Sequence, residues 1–124
     1  MPLVLPPPLE PYRAFLGRLE RYFGVPGVSY VLSESTPDVA SIPAQRTVLI
    51  GRKWRRAGRH EQEKRILHEM AHLWGLRHDD YARSIGYFSD PQRDRWSRAV
   101  YAHFRAGAAR FDPAQFKVER YSHA

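Results

Sequence analysis

The amino-acid sequence predicts a small α+β domain with three main helices, a short mixed sheet, and one helix at the centre. Three observations carry this. Apolar residues recur at helical spacing in segments 11–23, 60–74 and 91–107. Segments 28–32 and 47–50 are short, rich in β-branched residues, and bounded by turn residues, as strands are. In segment 60–74 the apolar residues cover most of the helix circumference, which marks a helix enclosed by the rest of the chain. A length of 124 residues suits one domain, spanning 1–124.

Residues 1–11 include Pro2, Pro6, Pro7, Pro8 and Pro11. Fixed φ values and missing N–H groups predict a proline-rich extended arm. In 11–23, Tyr12, Phe15, Leu16, Leu19, Tyr22 and Phe23 form an aromatic stripe that reads as core. Pro11 suits the first turn of this helix and Gly24 its end. A turn over 24–27 leads to the first strand signal, Val28 to Leu32. Residues 33–43 hold Ser, Thr, Pro and Asp and read as a loop before the second strand signal, 47–50, which can pair with the first.

Residues 51–59 carry Arg52, Lys53, Arg55, Arg56 and Arg59 around Trp54. Such a run can contact phosphates and stack a base. The plainer reading, which we favour, is a solvated loop with one anchoring tryptophan. In the helix over 60–74, Glu61 and Glu63 suit the positive end of the helix dipole. Asp90-Pro91 begins the third helix, with Trp96, Val100, His103, Phe104 and Gly107 on one face. His103 on that face reads as a satisfied boundary residue, and His60 and His123 also as non-ligands. Residues 108–124 read as a docked tail with a short strand.

The central helix runs into Leu67-His68-Glu69-Met70-Ala71-His72-Leu73-Trp74-Gly75-Leu76-Arg77-His78-Asp79. His68 and His72, four apart, lie on one helical face, where two imidazoles can share a metal ion. Glu69 is about 100° round the helix from His68, placed to reach a water on that metal without being a ligand. Gly75 can stop the helix in a left-handed conformation, and the turn can bring in His78 as a third nitrogen. Three protein ligands and one open position are the arrangement of a catalytic zinc.

This H-E-x-x-H-x-x-G-x-x-H-D segment resembles the zinc-binding consensus of the metzincin metallopeptidases. The run from His72 to Asp79 is closest to archaemetzincins, which carry G-L-x-H at this point, and an aspartate after the third histidine also occurs in adamalysin-type enzymes. The resemblance covers 13 of 124 residues. It implies a zincin-like domain with one catalytic Zn2+ held by His68, His72 and His78, and Glu69 as the catalytic general base. Peptides or proteins are the implied substrates. The chain departs from the metzincin pattern in having only Met1 and Met70, so it lacks the downstream methionine turn. It also lacks the cysteines of archaemetzincins. Ile85 or Phe88 can take the floor position beneath the metal. Asp79 can orient a ligand histidine or cap the next segment, and Tyr81 and Tyr87 can donate to an oxyanion.

A second resemblance is to metal-dependent endoribonucleases of the bacterial YbeY type, with H-x-x-x-H-x-x-G-x-x-H. Those have glycine where this chain has Glu69, and aspartate where it has Arg77, so the peptidase reading is preferred. A non-catalytic zincin-like binding module is a third reading, which the intact glutamate disfavours.

Composition bounds the partners. The net charge of +7 and 17 arginines permit nucleic-acid binding, but no nucleic-acid motif accompanies them. Zero cysteines exclude disulfides and thiolate ligands. No run approaches the ~20 apolar residues of a membrane span. The start is not a signal peptide, so the cytoplasm is the expected location.

Overall fold

The computed structural model of the protein describes residues 3–76, 90–118 and 120. The elements are a 3-10 helix at Pro7–Tyr12, α1 (Arg13–Phe23), β1 (Ser29–Leu32), β2 (Val39–Ile42), β3 (Thr47–Ile50), α2 (Arg52–Arg56), α3 (Arg59–Trp74) and α4 (Asp90–Arg105). The fold is α+β, with α1, α3 and α4 as the main helices and a three-stranded mixed sheet.

Helix α3 is central, as its apolar circumference predicts. It packs against α1, α4, β2 and β3. Ile66, Leu67, Met70, Ala71, Leu73 and Trp74 are all buried along it. Around it one hydrophobic cluster runs from Leu9 to Val118.

The sheet order is β1-β3-β2. Strand β1 runs parallel to β3, with Ser29 opposite Thr47 and Leu32 opposite Ile50. Strand β2 runs antiparallel to β3, with Val39 opposite Ile50 and Ile42 opposite Thr47. The expected loop over 33–43 therefore contains a strand. Val-Ala-Ser-Ile is too short to declare itself between Pro37 and Pro43, and pairing with β3 supplies what its own propensity does not. A 3-10 turn, Pro43–Gln45, and Arg46 at φ 49° close the β2–β3 hairpin. Gly51, just after β3, comes so close to the Thr36 and Asp38 carbonyls that an added Cβ would lie 2.0 Å from the Thr36 oxygen. Only glycine fits there.

Two further expectations are corrected. The arm over 1–11 is not extended throughout: Pro7–Tyr12 forms the 3-10 helix, begun by the Leu9 N–H donating to the Pro6 carbonyl at 2.9 Å. Prolines at its start lose nothing, since those N–H groups have no intrahelical partner, and Leu9 is fully buried. The basic stretch after β3 is the short helix α2, not a loop. Trp54 anchors it as expected. It is 1% exposed, and its indole N–H donates to the Gln62 carbonyl at 2.9 Å while the Gln62 amide returns a bond to the Trp54 carbonyl at 3.0 Å. So enclosed, Trp54 has no face to offer a base.

The tail docks through Phe111, whose N–H donates to the Tyr22 carbonyl at 2.9 Å, and through Val118. Its described residues, 108–118 and 120, form turns and bends and hold no strand.

Candidate metal centre

The site sits on the last two turns of α3. The Nε2 atoms of His68 and His72 face one another at 3.0 Å. The rings meet edge to face, with centroids 4.7 Å apart. A carboxylate oxygen of Glu69 completes a group whose candidate ligand atoms all lie within 4.8 Å of one another. All three side chains are partly exposed, so the group is open to solvent while its helix is held in the core. Glu69 is thus less enclosed than its apolar neighbours in sequence suggest.

Each imidazole is held from behind. His72 Nδ1 lies 2.9 Å from the Leu76 carbonyl oxygen. The end of α3 makes this contact. Gly75 takes φ 130°, its N–H reaches the His72 carbonyl at 3.1 Å, and the Leu76 N–H reaches the Ala71 carbonyl at 3.0 Å. These nested bonds are a Schellman arrangement, which glycine permits. They turn the Leu76 carbonyl back onto the histidine one turn before. His68 Nδ1 lies 3.0 Å from the Ser97 hydroxyl of α4. Glu69 is oriented from the sheet, where the Ser41 hydroxyl on β2 donates to its Oε1 at 2.9 Å.

The donor set fits a divalent metal such as zinc. Two imidazole nitrogens about 2.0–2.1 Å from a tetrahedral zinc stand roughly 3.3 Å apart, close to the 3.0 Å between the two Nε2 atoms. Metal-binding histidines characteristically engage their other ring nitrogen with a carbonyl, carboxylate or similar partner, as both do here.

The structure thus brings together His68, Glu69 and His72. The third predicted ligand, His78, lies outside the described residues, as do Asp79, Tyr81, Ile85, Tyr87, Phe88 and His123. His103 is a boundary residue as expected, its Nδ1 2.7 Å from the Tyr22 hydroxyl. His60 packs edge-on against Tyr101. Sequence reasoning missed Ser41 and Ser97. Ser41 lies on the unrecognised strand and gives no signal. Ser97 is a small polar residue on the same buried stripe as Trp96, Val100, Tyr101 and Phe104, a break in pattern that can be read from sequence once the stripe is drawn. No protein-family model matches the chain, and comparison with curated proteins and with solved structures found no match.

Proposed function

We propose that this protein is a zinc-dependent metallopeptidase, a divergent metzincin-like member acting on peptides or proteins in the cytoplasm. The observation that carries the reading is the pair of Nε2 atoms 3.0 Å apart, each ring held at its Nδ1, with Glu69 beside them. His68 and His72 would hold the metal, with His78 as the third nitrogen. Zinc bound there supplies a Lewis acid and makes a water acidic enough to give up its proton near neutral pH.

Glu69 would serve as general base and then general acid, accepting a proton from the attacking water and returning it to the leaving amine. Ser41 holds the carboxylate by one oxygen and so fixes its direction. Strand β2, which carries Ser41, lies at one side of the sheet and pairs with β3. Among the described residues no strand pairs with its other edge, which would suit an extended peptide backbone passing close to Glu69.

The test is zinc titration of the purified protein, followed by parallel assays on unstructured peptides and single-stranded RNA. One equivalent of zinc and peptide cleavage are expected. RNA cleavage without peptide cleavage would transfer the site to the ribonuclease reading. His78→Ala should weaken zinc binding strongly and Asp79→Ala much less. The reverse order would remove His78 from the ligand set.

A further inference from the structure

The two imidazoles are held by partners of different chemistry. Leu76 offers His72 a carbonyl, which only accepts. His72 therefore carries its proton on Nδ1 and presents a lone pair at Nε2. A second lone pair cannot face it at 3.0 Å without a proton or a cation between them. In the metal-free neutral pair, His68 must supply that proton from its own Nε2. His68 Nδ1 is then an acceptor, and the Ser97 hydroxyl donates to it. A metal shared by both Nε2 atoms needs the opposite tautomer of His68, with the proton on Nδ1 and Ser97 Oγ accepting it. No proton is gained or lost overall, since it moves from one nitrogen of His68 to the other.

We propose that Ser97 is a positioning residue for the metal, holding the His68 ring in either tautomer. The proposal rests on the zinc-site reading above. A hydroxyl is suited to this because it both donates and accepts, and its hydrogen rotates without the oxygen moving. Its place on α4 gives the displaced hydroxyl hydrogen a second acceptor, since a helical serine can donate to the carbonyl one turn earlier. Ser97 is 5% exposed, so bulk water is poorly placed to stand in for it. A carbonyl in its place would forbid the metal-free pairing, and a methyl would hold neither tautomer.

The experiment uses the full chain near pH 8. Zinc affinity is measured by competition with a chromophoric chelator for wild type, Ser97→Ala and Ser97→Thr. Long-range 1H–15N spectra read the imidazole tautomers with and without zinc. Ser97→Ala should bind zinc about 10–100-fold more weakly, the usual range for a lost partner of a ligand histidine. Metal-free Ser97→Ala should unfold at nearly the wild-type temperature, which separates positioning from simple support of the fold. Ser97→Thr, which keeps the hydroxyl, should stay near wild type. The metal-free wild type should show His68 protonated at Nε2 and His72 at Nδ1, and zinc should move the His68 proton to Nδ1. Undiminished zinc binding by Ser97→Ala overturns the proposal, as does His68 already protonated at Nδ1 before zinc is added. If Ser97→Ala does not fold, the wild-type spectra decide alone. If the wild type binds no zinc, the metal reading falls. Ser97 then has no metal to position, and this proposal falls with that reading.

Discussion

Helices α1 and α3 end in the same way and lead to different things. At the end of α1, Gly24 takes φ 66°, its N–H reaches the Arg21 carbonyl, and the Val25 N–H reaches the Glu20 carbonyl. At the end of α3, Gly75 and Leu76 repeat that nested pair on His72 and Ala71. In both, a polar side chain of the last turns also grips the backbone beyond the glycine. Glu20 Oε1 accepts from the Gly27 N–H at 3.1 Å, and His72 Nδ1 meets the Leu76 carbonyl at 2.9 Å. The difference lies in the second polar atom. Glu20 Oε2 accepts from the buried Tyr30 hydroxyl at 2.9 Å, and at 8% exposure Glu20 is enclosed. His72 instead turns its second nitrogen toward His68, on a face open to solvent. The same helix stop thus ties a corner shut in one place and aims a donor in the other. Whether the second atom is spent inside the core separates structure from site.

This comparison can be broken at either end. The largest effect is expected at Glu69. Glu69→Gln should keep the fold and zinc but lower peptide hydrolysis by roughly 10²–10⁴, mainly in kcat, as for a lost general base. That is about 3–5 kcal/mol in the barrier. Equal hydrolysis by variant and wild type would remove Glu69 from the chemistry.

Glu20 should behave in the opposite way. Glu20→Leu leaves the Gly27 N–H and the Tyr30 hydroxyl without their acceptor. Denaturant unfolding should show a loss of about 1–3 kcal/mol, the cost of stranding the buried Tyr30 hydroxyl, since the exposed Gly27 N–H can turn to water. Zinc affinity should not change. A variant as stable as wild type would contradict the view of this corner as a tie.

A smaller effect is expected from Ser41→Ala, which frees Glu69 Oε1 from one hydrogen bond. At about 0.5–1.5 kcal/mol per bond, kcat should fall by up to roughly tenfold with zinc affinity intact. Loss of zinc would make Ser41 part of the metal support instead.

The smallest effect is a pH dependence. Burial raises the Glu20 carboxyl above its ordinary 4.5, outweighing the hydrogen bonds from Tyr30, Gly27 and Val28 that lower it. The folded chain therefore holds this proton more tightly than the unfolded chain. Its contribution is fully present below the unfolded value and is lost as pH rises through the folded one. Wild-type stability relative to Glu20→Gln should decline as pH rises above about 4.5 and then level off. A difference that grows with pH would show the hydrogen bonds outweighing burial.

Much of the frame is legible in the amino-acid sequence. Helices expected over 60–74 and 91–107 appear as Arg59–Trp74 and Asp90–Arg105, and the strands over 28–32 and 47–50 as Ser29–Leu32 and Thr47–Ile50. Their signals are periodic and local. The elements that escape such reading are short and dependent on partners. Val39–Ile42 becomes a strand only against β3, and Pro7–Tyr12 coils only because Leu9 has a core to enter. Trp54, with charge on both sides, reads as the anchor of a solvated loop; the anchor is there, but the stretch that carries it is the short helix α2.

Sequence by itself determined that His68 and His72 meet, because residues four apart on a helix share a face whatever surrounds it. It also determined the stop at Gly75, because the left-handed turn asks only for a residue without a Cβ. Tertiary structure alone decided what those side chains face. Ser97 reaches His68 from 29 positions away and Ser41 reaches Glu69 from 28, and no periodicity in one segment encodes the hydroxyl of another. An imidazole's tautomer depends on the partner at its far nitrogen, and that partner arrives only when α4 packs against α3.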